Sequence, residues 1–259
     1  MTSLLLETDT RGVARLMLNR PDSGNALSAA LIADLTEAAH MLAADISVRV
    51  IVITGTGEYF CKGGDLEWMQ AQVTGDAASR RKAATALAMM LHALNGLPKP
   101  LIGRVNGSAF GGGVGLLSVC DVAIGTNLAS FGLTETRLGL IPATIGPYVL
   151  ARIGGAAARR YAMASRIFDA TAAVGMGLLA AAVAPDALDR ATEAELVPYL
   201  ACAPGAVAEA KALFRSLTGA PDEAVIADTI ERLVTRWESP EAADGIAAFF
   251  ADRKPPWAQ

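Results

Sequence analysis

One carboxylate and three glycine-bearing turns are the parts of this chain whose residue types could do chemistry. Glu135 lies in the stretch Phe131-Gly132-Leu133-Thr134-Glu135-Thr136-Arg137-Leu138-Gly139-Leu140-Ile141-Pro142, a mostly apolar frame. A carboxylate stripped of water has its pKa raised toward neutrality, where it can both give and take a proton. The commoner fate of a glutamate, an exposed position facing solvent or paired with Arg137, stays open at this point. In Phe60-Cys61-Lys62-Gly63-Gly64-Asp65-Leu66, two glycines follow a strand and loop and lead into a helix. Such a turn presents backbone N–H groups to an anion, or is a plain turn in which Asp65 caps the helix. The run Val105-Asn106-Gly107-Ser108-Ala109-Phe110-Gly111-Gly112-Gly113-Val114-Gly115 places three consecutive glycines at a helix start. Each is worse than alanine within a helix by roughly 1 kcal/mol. Either a bulky ligand or another backbone must therefore come very close. The run has neither the spacing of a dinucleotide fingerprint nor the GK[ST] of a Walker loop. The last segment, residues 18–27 (LNRPDSGNAL), is turn chemistry when taken alone.

The elements that must position these turns read as strands and helices in alternation. Residues 4–7 and 13–18 are short apolar runs separated by a turn, and residues 49–54 form a continuous apolar run, a buried strand. Ser28 is placed to cap a helix through about Ala44, with Leu31, Leu35, Ala38 and Leu42 on one face. A helix over residues 76–94 stops before Pro98 and Pro100; strands follow at 101–105 and 121–125. Beyond Pro142 the pattern is mostly helical, with Pro204 and Pro221 in first-turn positions. This order predicts an α/β core over residues 1–200 and a helical region over 201–259.

Composition removes several classes of function. Hydrophobic residues make up 53% of the 259 and charged residues 19%, ample for a large core. Mean hydropathy is +0.37, yet no run reaches the roughly 18 apolar residues of a membrane span. The net charge of −4, without a long basic run, argues against a nucleic-acid binder. The N-terminus shows no basic segment followed by an apolar one, so no secretory signal is expected. Cys61, Cys120 and Cys202 are far apart and odd in number, and read as reduced, buried thiols of a cytoplasmic protein. His40 and His92 fall in helices away from the turns, and no metal constellation is present.

In this order and spacing the four segments resemble the crotonase (enoyl-CoA hydratase/isomerase) superfamily, over nearly the whole chain. The GGGVGL and FGLTETRLGLIPATIGPYV stretches are most similar to bacterial methylglutaconyl-CoA and isohexenylglutaconyl-CoA hydratases. The resemblance implies a spiral of ββα units with a C-terminal helical trimerisation region, assembling as a trimer or a dimer of trimers. It implies an acyl-CoA substrate, with coenzyme A present only as part of the thioester and no prosthetic group. The oxyanion hole of the family maps to the N–H groups of Gly64 and Gly112. Its coenzyme A contacts map to Ser23, Gly24, Ala26, Lys62, Gly64, Asp65 and Leu66, with Lys254 as a phosphate partner, reaching in from a neighbouring subunit, and Arg20 as another candidate. Asp65 as a cap and Lys62 as a solvated side chain remain the competing readings.

Of the two glutamates usual in these hydratases, the second maps to Glu135, while the first position holds Gly115. The expected reaction is addition of water to an enoyl-CoA, with Gly115 leaving volume for a branched acyl chain of methylglutaconyl type. The alternatives are Δ3,Δ2-enoyl-CoA isomerisation, which one carboxylate can carry, and a non-catalytic paralogue.

Overall fold

The computed structural model describes residues 3–218 and 221–258. In chain order the elements are β1 (Leu4–Thr8), β2 (Val13–Leu18), α1 (Ala29–Ala44), β3 (Val50–Gly55), α2 (Leu66–Thr74), α3 (Ala77–Asn95), β4 (Leu101–Val105), β5 (Ala109–Phe110), α4 (Gly112–Ser118), β6 (Val122–Thr126), β7 (Ser130–Gly132), α5 (Gly146–Ala162), β8 (Ile167–Asp169), α6 (Ala170–Gly175), β9 (Ala181–Val183), α7 (Leu188–Leu200), α8 (Pro204–Leu217), α9 (Glu223–Trp237) and α10 (Pro240–Phe250). The larger sheet runs β1-β2-β3-β4-β6-β9, and a small second sheet runs β5-β7-β8. Only the β1–β2 pair of the larger sheet is antiparallel; from β2 to β9 every pairing is parallel. Central parallel strands are covered on both faces, so β3 carries no alternation and every one of its residues is buried.

Helix limits follow local chemistry. Ser28 caps α1 by accepting from Leu31 N, and Asp65 caps α2 by accepting from Glu67 N and Trp68 N. Leu31, Leu35, Ala38 and Leu42 of α1 face the core as their spacing predicts. The principal core includes Leu16, Ile53, Phe60, Leu91, Val114 and Phe131.

Two expectations need correction. Strands β8 and β9 interrupt the stretch read as mostly helical. Each is three residues long, and β9, Ala181-Ala182-Val183, has no periodicity to betray it. Cys61 and Cys120 are buried, but Cys202 is exposed, because it lies past the end of α7. The C-terminal helices dock on their own chain: Ile226, Ile230, Leu233, Trp237 and Ile246 share an apolar cluster with Met69 of α2 and Ala84 and Ala88 of α3. Ile246 is buried, whereas Phe249, Phe250 and Trp257 of the tail stay exposed. Among the described residues no helix is long and apolar enough to cross a membrane.

Candidate active site

The four segments are stitched together backbone to backbone. Lys62 N donates to Gly24 O at 2.9 Å, Leu27 N to Gly63 O at 2.7 Å, and Asp65 N to Leu27 O at 3.2 Å. The turn 23–27 thus lies along the turn 62–65. On its other side, Phe110 N donates to Cys61 O at 3.0 Å and Gly111 N to Gly132 O at 2.9 Å. This last bond links the glycine triplet to the strand that leads to Glu135.

The contacts explain why glycine is needed. A Cβ on Gly113 would stand 2.3 Å from Cys61 O, and one on Gly63, whose φ is +92°, would stand 2.9 Å from Phe110 O and 3.5 Å from Gly112 N. The triplet therefore answers the close approach of another backbone, one of the two causes inferred from its helix penalty. Gly111 and Gly113 are buried, whereas Gly112 is half-buried and Gly64 exposed. No acceptor among the described residues takes the Gly64 or Gly112 N–H. Gly112 is the first residue of α4, where a backbone N–H has no partner inside the helix.

Glu135 begins a 3-10 turn, Glu135–Leu138. Its carboxyl lies against Gly111, for a Cβ there would come within 3.1 Å of Glu135 Oε1. Oε2 is buried and has no hydrogen-bond partner. Loss of water pushes the carboxyl up to about 7, opposed only by a hydrogen bond from its own backbone N–H. Arg137 does not neutralise it, since its Nη2 donates to Ser165 O at 2.9 Å. Thr136 Oγ1 donates to Ala162 O at 2.9 Å, so the turn is held by the end of α5 and the loop beyond it.

The other named residues divide. Ser23 is half-buried, Gly24, Ala26 and Asp65 are buried, and Lys62 and Leu66 are exposed. The Lys62 stem lies over Gly24 and its Nζ stands 4.0 Å from the Tyr59 ring centroid, so the ammonium rests on an aromatic face at the surface. Arg20 is not free for phosphate: its Nη1 donates to Ala26 O at 2.6 Å and pairs with Asp65 Oδ2 at 2.9 Å. Asp65 is thereby both cap and counter-ion. Lys254 is exposed in the segment after α10. His40 is exposed, and among the described residues no group of His, Cys, Asp and Glu could hold a metal.

Gly115 departs from expectation. The space beside it is filled, not left for an acyl chain: a Cβ there would meet Ile145 Cγ2 at 2.4 Å. Ile145 was missed because the sequence gives no sign that it folds back across α4. Asn25 was also missed. It sits at φ +57° and is fully buried; its Nδ2 donates to Thr56 O and Tyr59 O at 2.8 Å each, and its Oδ1 accepts from Arg20 N at 2.9 Å. The Gly-Asn pair, both residues in the left-handed region, is the local signal that could have found it.

An apolar groove of about 650 Å³ lies between the chain leaving the Glu135 turn and α9, lined by Ile141, Pro142, Pro147, Leu150 and Val225 among others.

Comparison with known proteins shows the family and the fold. The model of the family described as enoyl-CoA hydratase/isomerase matches residues 8–259. The chain is 37% identical over 245 residues to enoyl-CoA hydratase AKT6-1 of Alternaria alternata, covering 94% of this chain and 80% of that one. It is 32% identical over 257 residues to the 2,3-dehydroadipyl-CoA hydratase of Escherichia coli, covering 98% of each. The crystal structure of an enoyl-CoA hydratase from Mycobacterium smegmatis superposes with a TM-score of 0.81 at 36% identity, over 99% of both chains. The fold is the α/β spiral of ββα units ending in C-terminal helices that the sequence led us to expect. None of these relatives is called a methylglutaconyl-CoA hydratase.

Proposed function

Since this chain belongs to the enoyl-CoA hydratase/isomerase family, we propose that it adds water across the double bond of a branched enoyl-CoA, with Glu135 as the single acid–base group. The observation that carries this reading is the half-buried Glu135, whose carboxyl has one buried, unpartnered oxygen, is raised to about 7 and lies against the glycine triplet. A carboxyl poised there exists in both protonation states at neutral pH, as a proton shuttle requires.

In this mechanism the thioester oxygen accepts from the unpaired N–H groups of Gly64 and Gly112. Backbone donors hold the developing enolate without any titration of their own, and each contributes several kcal/mol at about 3–4. Glu135 takes a proton from water as its oxygen bonds to C3; electrons move from the C2–C3 double bond onto the thioester oxygen. Collapse of the enolate then draws the same proton from Glu135 to C2. One carboxylate thus closes the cycle with no net proton gained or lost. Ser23, Gly24, Ala26, Lys62, Asp65 and Leu66 line the turns proposed to receive coenzyme A, with backbone as the main contact.

A methylglutaconyl-type substrate would bring a distal carboxylate. The arginines nearest that role in sequence are engaged elsewhere: Arg80 with Gln72 O and Val73 O, Arg81 with both oxygens of Glu231, Arg137 with Ser165 O. With these arginines engaged, a branched chain that is uncharged at its end is favoured. We also propose assembly as a trimer or dimer of trimers. The apolar residues Phe249, Phe250 and Trp257 of the tail and Leu213, Phe214 and Leu217 on α8, all exposed, give it a surface.

Isomerisation is the second reading, favoured by one observation: Ile145 fills the place of the first glutamate. There Glu135 would remove a proton at C2 and return it at C4. The test is a panel of enoyl-CoA esters followed by absorbance of the conjugated thioester and by product mass. Gain of one water supports hydration, and conversion without mass change supports isomerisation. Neither product from any ester would remove both readings.

A further inference from the structure

The Glu135 turn is held from its far side by the junction of α9 and α10, through one peptide group. Arg236, in the last turn of α9, donates from Nε to Gly139 O at 2.6 Å. The same peptide unit carries Leu140 N, which donates to Glu135 O at 3.0 Å. The 139–140 peptide is planar, so its carbonyl and its N–H move together. Arg236 fixes one edge of the plane, and the other edge fixes the backbone of Glu135. A cationic donor on the carbonyl also polarises the peptide and strengthens the bond its N–H makes.

The rest of the junction limits the freedom of that plane. Gly139 lies at φ +70°, and a Cβ there would be 2.3 Å from Glu241 O and 2.8 Å from Ala242 N, at the start of α10. On the next turn, a Cβ on Gly245 would be 2.5 Å from Leu138 O. Arg236 is itself oriented by an ion pair between its Nη2 and Glu241 Oε2. Glu135 Oε2 has no hydrogen bond to hold the carboxyl in place. Its aim therefore depends on the backbone beneath it.

We propose that Arg236 is a positioning residue for Glu135, acting through the 139–140 peptide to hold the carboxylate over the glycine triplet. The C-terminal helices are then part of the catalytic apparatus of their own chain. The inference rests on Glu135 being the acid–base group.

The test uses the full-length protein and the best enoyl-CoA ester found in the panel, with Arg236→Met, Arg236→Lys, Glu135→Gln and the double variant Arg236→Met/Glu135→Gln. Displacement of a reacting group by about an ångström can lower turnover by up to about 100-fold. Arg236→Met is expected to lower kcat roughly tenfold or more with KM nearly unchanged. It should also shift the Glu135 limb of the pH profile to lower pH, because a loosened carboxyl regains water. Arg236→Lys, which keeps a cationic donor, should recover much of kcat. Adding Arg236→Met to Glu135→Gln should cause no further loss, since the carboxylate it aims is gone.

An Arg236→Met enzyme with the parent's kcat and pH profile would overturn the proposal. So would a loss of kcat, KM and melting temperature together that Lys does not restore, which is a merely structural role. The same holds if Arg236→Met lowers the residual turnover of Glu135→Gln by its full factor. A Glu135→Gln variant as active as the parent instead overturns the acid–base reading itself, whatever Arg236 does.

Discussion

The two walls of the site are built on different plans. The wall formed by residues 23–27, 62–65 and 109–113 is backbone on backbone. Its groups are carbonyls and N–H donors held at 2.7 to 3.2 Å, and its glycines are dictated by atoms of the neighbouring turn. The wall that carries Glu135 is a single 3-10 turn clamped by side chains from remote parts of the chain: Thr136 and Arg137 reach the 162–165 segment, and Arg236 reaches back from α9. The first plan gives donors that do not titrate. The second gives one titrating group whose protonation and aim are set by what surrounds it. Exchange of an exposed side chain such as Lys62 should therefore be tolerated on the first wall, where the buried Asn25 and Asp65 brace the turns, and exchange at Glu135 should be costly on the second.

The largest effect expected from that contrast is on turnover. Glu135→Gln keeps the size and hydrogen-bonding capacity of the side chain but removes proton transfer, so turnover should fall on the order of 10²–10⁴-fold. Affinity for the coenzyme A ester, which belongs to the backbone wall, should persist. Turnover within a few-fold of the parent would return Glu135 to a structural role.

The same exchange should change stability with the opposite sign. Glu135 is raised from 4.5 to about 7 in the folded protein. Between those values the folded chain binds more proton than the unfolded one, so stability present at low pH is lost as pH rises through this window. A shift of this size corresponds to about 3 kcal/mol. Glu135→Gln lacks the ionisation, and should melt several degrees above the parent at about pH 8 while matching it near pH 4. A difference in melting temperature that is flat across this range would contradict the burial of the carboxyl.

Position 115 sharpens the comparison on α4, the helix that begins at the glycine triplet of the first wall. Restoring the first glutamate by Gly115→Glu drives a side chain into Ile145, whose Cγ2 lies 2.4 Å from the new Cβ. Such overpacking typically costs about 1–3 kcal/mol. Adding Ile145→Ala should recover part of the loss, and denaturant unfolding of the two single variants and the double variant reads it. Strictly additive losses would mean that the two positions do not compete for the same space.

The smallest effect belongs to the backbone wall. Lys62→Ala removes an exposed ammonium from the face of Tyr59, a contact contributing about 0.5–1 kcal/mol. Affinity for the coenzyme A ester, measured by calorimetry, should be unchanged, because the Lys62 backbone remains. A loss of about tenfold, or 1.4 kcal/mol, would assign the ammonium to phosphate and break the distinction between the walls.

What the sequence determined by itself was local. The caps at Ser28 and Asp65, the buried strand at Val50–Gly55 and the apolar face of α1 follow from propensity, capping and periodicity within a few residues. The glycine triplet announced a close approach because glycine in a helix is unfavourable, and the apolar frame around Glu135 announced a lost solvent shell. Sequence could not say what came close to the triplet, and the answer, Cys61 O, comes from the loop between β3 and α2 folded alongside. Nor could it say that Ile145 takes the room beside Gly115, that Arg20 turns inward to Asp65, or that Arg236 reaches Gly139. These are contacts between residues distant in sequence, fixed by the packing of whole elements, and a window of neighbouring residues holds no record of them. The same holds for the tail: only the packing of α9 against α3, and of α10 against the Glu135 turn, decided that its own chain buries Ile226, Ile230, Leu233 and Ile246 and leaves Phe249, Phe250 and Trp257 exposed.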